Sequence, residues 1–360
     1  MHVTAWMVRK RDEPMVLEPR DEAPARGEVL IEVAGCGVCH TDLGFYYEGV
    51  PTKHALPLAL GHEISGHVVA AGAGAERWNG RDVIVPAVIP CGECAACRAG
   101  RGSVCPAQIF PGNDVHGGFA THVRVPARGL CAVPDLADRE LNPLGLALAD
   151  LSVIADAVST PYQAVERSRL RAGDLAVFVG VGGVGGFGVQ IAAARGAHVV
   201  AIDVDAGRLA AMREHGAELA LDASRLDFKG LKKEVGAWAK RCQTPSWRTR
   251  IFETSGTKAG QETAFGLLGP GGHLSVVGYT PDKATLRLSN LMALDAVAQG
   301  NWGCAPELYP AVLELVLSGK VQVLPFVERR PLSSINATFA DVHERRVARR
   351  VILIPERPER

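Results

Sequence analysis

The run "VFVGVGGVGGFGVQIA", residues 177–192, narrows the folds open to this chain more than any other stretch. An apolar strand runs into Gly180, Gly182 and Gly185, spaced G-x-G-x-x-G with Gly183 and Val184 inside the motif, and a helical segment opens directly after it. Glycines at that spacing permit a tight turn and let backbone N–H groups approach a pyrophosphate at the positive end of the helix. A second strand, "VVAID", ends at Asp203, eighteen residues past Gly185. A carboxylate there accepts both ribose hydroxyls and repels a 2′-phosphate, which favours NAD over NADP, while Arg208 works against that discrimination. The plain alternative is a glycine-rich turn beside an ordinary surface Asp. Strand, turn, helix and acid together argue for the dinucleotide.

The surroundings fit a parallel sheet. "LAVFVG", "HVVAID", "AELAL", "RIFET" and "HLSVVGY" read as apolar strands alternating with helices from about 155 to 303, the pattern of a doubly wound sheet covered on both faces. Residues 1–150 have a different texture. Short apolar runs such as "EVLIEVAG", "ISGHVVAAG" and "RDVIVPAVIP" are broken by Gly and Pro, as in an irregular β-domain. "APELYPAVLELVLSGK" has helical spacing and "RRVILIP" reads as a closing strand. With 360 residues and 47% hydrophobic content the chain can build two cores. Lys+Arg and Asp+Glu both number 39, so no overall charge favours nucleic acid or an acidic membrane. Residues 175–194 carry no charge over a length that can cross a bilayer, yet six of these twenty are glycine, which suits a phosphate-binding turn better than a lipid-facing helix. "MHVTAWMVRKRDEP" has no apolar secretory core, so the expected location is the cytoplasm.

Four of the nine cysteines fall in "CGECAACRAGRGSVC": Cys91, Cys94, Cys97 and Cys105. Four thiolates this close can close a tetrahedron around zinc with no position left for substrate, which makes the site structural. An iron–sulfur cluster or a set of reduced thiols are the alternatives. A second site needs residues from distant segments: Cys39 in "GVCHTD", His62 in "LGHEISGHV", and a third ligand further on. Three protein ligands keep the fourth zinc position for a substrate oxygen. Taken singly, Cys39 is equally well a buried thiol and His62 a turn histidine.

The segments "GVCHTDL", "GHE", the four-cysteine lobe, "GVGGVGG" and the later Asp follow the order of the zinc-dependent medium-chain alcohol dehydrogenases, which this chain resembles over nearly its whole length. The resemblance implies a GroES-like irregular β catalytic domain over 1–155, with its zinc lobe at about 91–105. It also implies a Rossmann domain over 156–303, a return to the catalytic domain over 304–360, and an active site in the cleft between domains. It places Asp156, in "ADAVSTPYQAV", as third ligand of a catalytic zinc beside Cys39 and His62, with Glu63 as an alternative ligand or a partner of one. Oxygen in place of the usual sulfur makes that zinc the stronger Lewis acid. Asp42 matches the acid that orients the ligating histidine, Thr41 the hydroxyl that takes the substrate proton, His40 and Arg350 groups on the pyrophosphate, and Thr160 a residue beside the nicotinamide. Residues 251–257 and Val277 with Gly278 match strand ends lining the cofactor. The expected cofactors are thus NAD and two zinc ions per chain, one catalytic and one structural.

Two departures bear on substrate. Gly44 stands where many relatives carry a proton-relaying histidine, and Ala87 where a large aromatic wall is common; both enlarge the cavity. The stretches "GCGVCHTDLGFYY", "LPLALGHEISG", "ADAVSTPYQAV", "RLSNLMA" and "GNWGC" resemble the family's branch acting on cyclic hydroxyacyl-CoA thioesters. A small-molecule substrate of that class is therefore expected, with a free secondary alcohol or polyol as the alternative, and a homo-oligomer, dimer or tetramer, as the assembly. Tyr46, Tyr47 and Trp302 are pocket or packing residues. Lys53 and His54 sit on a loop whose plainer reading is an ordinary solvated one, with contact to the site or to a CoA phosphate as the alternative. Cys36, Cys131, Cys242 and Cys304 carry no assigned role.

Overall fold

The computed structural model describes residues 1–356; residues 357–360, the end of the expected return segment, lie outside the described residues. The chain divides into two compact units, Met1–Ser159 with Gly303 onward, and Thr160–Trp302. The first break therefore comes after Ser159, not after 155, and Asp156 belongs to the first unit. The carbonyl of Ala155 explains this: it accepts from the N–H of Ala87, from Tyr309 Oη and from Ser159 Oγ, all residues of the first unit.

The first unit is β-rich. Its strands are β1 (His2–Val8), β2 (Val16–Asp21), β3 (Glu28–Gly37), β4 (Leu58–Ala59), β5 (Glu63–Ala71), β6 (Asp82–Val85), β7 (His122–Pro126) and β8 (Cys131–Ala132). Two late strands, Val327–Pro331 and Arg350–Ile354, join the main sheet beside β3, so the chain's end returns to its beginning. β3 is buried along most of its length, and Val29, Ile31 and Val33 enter the same core as Ile64, Val68 and Phe119. Its antiparallel register with β5 shifts twice, at Leu30/Ile31 and at Val33/Gly35, before pairing Cys36 with Ile64 and Gly37 with Glu63. Such irregularities bend a strand and re-aim its end. The closing strand sets Ile352 against Gly37. Three chain segments distant in sequence thus converge where β3 runs out.

The second unit is a six-stranded parallel sheet: β9 (Leu175–Val179), β10 (His198–Asp203), β11 (Leu219–Asp222), β12 (Thr249–Glu253), β13 (His273–Val276) and β14 (Val297–Gly300), ordered 11-10-9-12-13-14. Every residue of the central β9 is buried, as expected of a strand covered on both faces. Phe178 and Phe252 stack across β9 and β12 at 4.6 Å between centroids, a pair worth about 1 kcal/mol beyond its buried area. The strand order reverses between β9 and β12, which places the glycine turn at the end of β9 at a switch point of the sheet. The charge-free run 175–194 is therefore a strand, a turn and a ten-residue helix, and among the described residues no helix is long and apolar enough to cross a membrane. The fold is a GroES-like β domain with a Rossmann-type parallel sheet, as the sequence led us to expect.

Candidate active site and metal centres

β3 delivers Cys39 as the N-cap of a short helix, α1 (His40–Tyr46), while β5 begins at Glu63 with His62 just before it. The Gly37–Glu63 pairing lays these two ends side by side. Asp42 fixes the geometry from α1. Its Oδ2 accepts the N–H of Cys39 at 3.0 Å, its Oδ1 accepts the N–H of Gly61 at 3.1 Å, and the same Oδ1 lies 3.3 Å from His62 Nδ1. One fully buried carboxylate thus ties Cys39 and the residue before His62 and faces the imidazole. Asp156 completes the group from the end of the segment Leu148–Ala155: its Oδ2 stands 3.5 Å from His62 Nε2 and 3.8 Å from Cys39 Sγ. The potential ligand atoms of Cys39, His62, Glu63 and Asp156 all lie within 4.8 Å of one another.

The donor set suits a metal. Both ring nitrogens of His62 are buried and make no well-formed hydrogen bond, although carboxylate oxygens stand close to each. A buried imidazole left so, with carboxylates and a thiol around it, is arranged for a cation. Burial disfavours the charged ring, but Asp42 and Asp156 outweigh it and hold the metal-free imidazole's pKa well above its ordinary value. Phe110 covers the ring at 4.9 Å, and Thr41 Oγ1 lies 3.7 Å from Cys39 Sγ.

Glu63 departs from a simple ligand role. Both its oxygens are taken by Arg350 in a fork, Nε to Oε2 at 2.7 Å and Nη2 to Oε1, with both side chains buried. Gly37 makes this possible, since a Cβ there would stand 2.1 Å from Glu63 Oε2. Arg350, expected on a pyrophosphate, is anchored to Glu63, and only its Nη1 lies outside the fork. His40 is exposed at the start of α1.

The four-cysteine lobe passes a sharper test. Cys94 Sγ lies 3.5 Å from Cys97 Sγ and 3.7 Å from Cys105 Sγ, and Cys91 Sγ lies 3.9 Å from Cys97 Sγ. A zinc tetrahedron with Zn–S bonds of about 2.3 Å has edges of about 3.8 Å, whereas disulfide sulfurs would be bonded at about 2.05 Å. The N–H groups of Cys91, Cys94 and Cys97 each point at a sulfur of the set, which stabilises thiolates. Backbone donors of this kind hold Cys91 down at about 6.

In the second unit, Gly180 takes φ +89°, and Cβ atoms at Gly180 and Gly185 would meet Ser255 at 2.4 Å and the Gly180 carbonyl at 1.9 Å. Gly183 is exposed, Gly182 and Val184 are half-buried, and the helix α2 (Gly185–Ala194) opens after them. Asp203 does more here than wait for a ribose. Its Oδ2 accepts the Val181 N–H at 2.7 Å, and its Oδ1 accepts those of Val204 and Asp205 at 2.8 and 3.0 Å. A carboxylate has about four acceptor sites, so this one first clamps the glycine turn and keeps capacity for roughly one more donor, not for two ribose hydroxyls without rearrangement. Arg208 Nη1 lies 4.0 Å from Asp203 Oδ1. Thr160 is buried, with its carbonyl accepting from Asn301, and the N–H groups of Val277 and Gly278 both donate to the Glu253 carbonyl.

Other candidates settle elsewhere. Tyr46 is core: it donates to the Glu13 carbonyl and packs edge-on against Phe339, while Tyr47 stacks on His343. Lys53 pairs with Asp114 at 2.8 Å and the His54 ring lies 4.9 Å from that of His116. Trp302 is half-exposed. Gly44 is buried, and Ala87 clusters with Val88 and Phe110. Sequence reasoning did not find Tyr309 or the Asp150–Arg329 pair. Tyr309 is fully buried and holds the Ala155 carbonyl at 2.5 Å, and Arg329 fixes Asp150 at the other end of the segment that presents Asp156. Tyr309 sits in an apolar helix, where nothing local marks a hydroxyl with a distant partner.

Two family models match the chain: Alcohol dehydrogenase GroES-like domain over residues 25–135 and Zinc-binding dehydrogenase over residues 183–318. An alcohol dehydrogenase of Rhizobium meliloti (strain 1021) is 30% identical over 357 residues, 98% of this chain and 99% of its own length. The L-galactonate-5-dehydrogenase of Escherichia coli (strain K12) is 28% identical over 331 residues, 90% and 89% of the two chains. The alcohol dehydrogenase of Aeropyrum pernix superposes with a TM-score of 0.85 at 29% identity, covering 98% of this chain and all of that one. The chain belongs to the zinc-dependent medium-chain dehydrogenase/reductase family, and is a zinc- and NAD-dependent oxidoreductase acting on CH–OH groups.

Proposed function

We propose that the chain oxidises a secondary alcohol reversibly, and that Cys39, His62 and Asp156 hold the catalytic zinc. The observation that carries this reading is the buried His62 ring, unbonded at both nitrogens among Cys39, Asp42 and Asp156. Zinc supplies Lewis acidity that lowers the pKa of an alcohol oxygen, and NAD accepts the hydride. The chain's own groups do the rest. Asp42 keeps His62 in one orientation and tautomer, the Thr41 hydroxyl relays the alcohol's proton by accepting it while passing its own on toward water, and the Glu63–Arg350 fork sets a buried cation behind the ligands. Gly180, Gly182, Gly183, Val184 and Gly185 cradle the pyrophosphate, Asp203 and Arg208 meet the adenosine ribose, and Thr160 and Val277 flank the nicotinamide. Cys91, Cys94, Cys97 and Cys105 hold the structural zinc. The protein works in the cytoplasm as a homo-oligomer.

Two substrate classes divide the finer reading. The names of the relatives, alcohol dehydrogenases and an L-galactonate-5-dehydrogenase, support a free alcohol or polyol, and this is the better supported by comparison. The second reading is 6-hydroxycyclohex-1-ene-1-carbonyl-CoA, oxidised to its 6-oxo form in anaerobic benzoyl-CoA breakdown. It is favoured by the local stretches quoted above and by Gly44 and Ala87, small residues where bulk is common. The deciding measurement is kcat/KM with NAD on that thioester, on its free hydroxy acid and on a panel of secondary alcohols and polyols. A preference for the thioester over the free acid establishes the second reading. Equal or better turnover of free alcohols removes it.

A further inference from the structure

We propose that His198, Glu218 and Cys242 form a third cation site, of zinc-class chemistry, on the dinucleotide-binding unit. Their potential ligand atoms all lie within 4.8 Å of one another, a juxtaposition the dehydrogenase chemistry does not use. Three elements supply them. His198 opens β10, Glu218 stands directly before β11, and Cys242 caps the helix α3 (Phe228–Arg241). Backbone hydrogen bonds hold each one: the His198 N–H on the Asp174 carbonyl at 2.8 Å, that of Glu218 on Val199 at 2.9 Å and that of Cys242 on Trp238 at 2.9 Å. The donors therefore stand on a rigid platform. Asp203 ends the strand that His198 begins, so the site lies at the opposite end of β10, about 17 Å along it, from the glycine turn.

The donor types select the ion. One imidazole, one carboxylate and one thiol make a borderline set that suits zinc or cobalt, whereas magnesium and calcium take oxygen ligands. His198 Nδ1 already lies 2.9 Å from Glu218 Oε2, which preorganises two of the three donors. Burial and the Glu218 carboxylate raise the Cys242 thiol, so binding there must displace a proton. The neighbouring Arg241 guanidinium lies over the face of Trp238 at 5.0 Å. His198 and Glu218 are partly exposed, at 32% and 41%, so a bound ion exchanges with solvent and keeps a water ligand. The ion would tie β10, β11 and the end of α3 together, stabilising the unit by mass action.

The holoenzyme, desalted to its tightly held zinc, is titrated with zinc chloride in equilibrium dialysis and, separately, with cobalt chloride. A third, exchangeable equivalent is expected, with a thiolate-to-cobalt charge-transfer band and a rise in Tm. His198→Ala and Cys242→Ser should each weaken that equivalent by about tenfold or more, with the retained zinc and turnover unchanged. Glu218→Gln, the mildest change at an exposed position, serves if either variant fails to fold, and should weaken binding in the same direction. The proposal is overturned if the parent takes up no third equivalent, or if uptake persists at parental affinity in the variants. These readouts are metal counts and a spectrum, so they stand whether or not the proposed alcohol substrate is correct.

Discussion

Asp42 shows how much one buried side chain can decide. It caps the turn at Cys39, holds the turn at Gly61 and faces His62 Nδ1, so its charge and its two oxygens are used separately. Asp42→Asn keeps the shape but removes the charge and turns one acceptor into a donor. Zinc retained at the catalytic site after dialysis against a chelator should fall, and kcat/KM should drop about 10–100-fold with little change in Tm. Unchanged zinc retention and turnover would show that His62 needs no orienting partner. Asp156→Ala should be harsher in function and milder in structure: Asp156 is partly exposed, so the fold should survive while turnover is lost. Asp203→Gly should cost more than NAD preference, because it also releases the Val181 N–H and loosens the glycine turn. A raised KM for NAD together with a lowered Tm is the expected pair, and a loss of preference alone would mean that the turn holds itself.

At the scale of elements, what could be read in advance was whatever a local pattern encodes. The strand, glycine turn and helix at 175–194 follow from apolar period and glycine spacing, and the cysteine lobe from spacing alone. The convergence of β3, β5 and the closing strand is not local: it depends on two register shifts that no periodicity marks, and the Glu63–Arg350 fork depends on that convergence. Asp156 could be placed only by resemblance, because the Tyr309 and Arg329 contacts that hold its segment come from more than 150 residues downstream. The lobe offers a test at this scale. It has a helix of only four residues and two sulfur-bearing turns, with little apolar core of its own, so its order rests on the four-sulfur cluster. Cys97→Ser should lower Tm by roughly 5–10 °C and release one zinc, while the other zinc stays bound. Gly180→Ala tests the other turn, where the left-handed φ alone costs about 1–2 kcal/mol and the 2.4 Å approach to Ser255 adds to it. NAD affinity should fall with stability, and a variant that binds NAD normally would show that the turn can re-form around a side chain.

For the whole molecule, the response to acid should be set by histidines that are kept neutral in both units. His116, in the first unit, is lowered to about 4 by burial and by the guanidinium of Arg20, 2.6 Å from its Nε2, while its Nδ1 accepts the Ala59 N–H at 3.2 Å. Both ring nitrogens thus face donors, and a protonated ring has no lone pair for either. His273, which opens β13 in the second unit, is likewise lowered to about 4, by burial and by the nearby Arg250 and Arg167. A folded-state pKa below the unfolded value of about 6.5 means that the unfolded chain binds more protons throughout the interval. Stability from these two groups is therefore fully present above about 6.5 and is lost progressively as the pH falls toward 4. Below that it is lost entirely. Because both rings are only partly shielded from solvent, we expect the two together to contribute on the order of 1–2 kcal/mol. Tm measured from pH 7.5 downward should fall, and His116→Gln and His273→Gln should each flatten that fall, since an amide keeps hydrogen bonding but does not titrate. Zinc release at His62 also follows acid, so the comparison is made between parent and variants at equal zinc content. If the double variant loses stability with the same slope as the parent between pH 6.5 and 5, these histidines do not carry the acid response, and the buried carboxylates around the metal centre must.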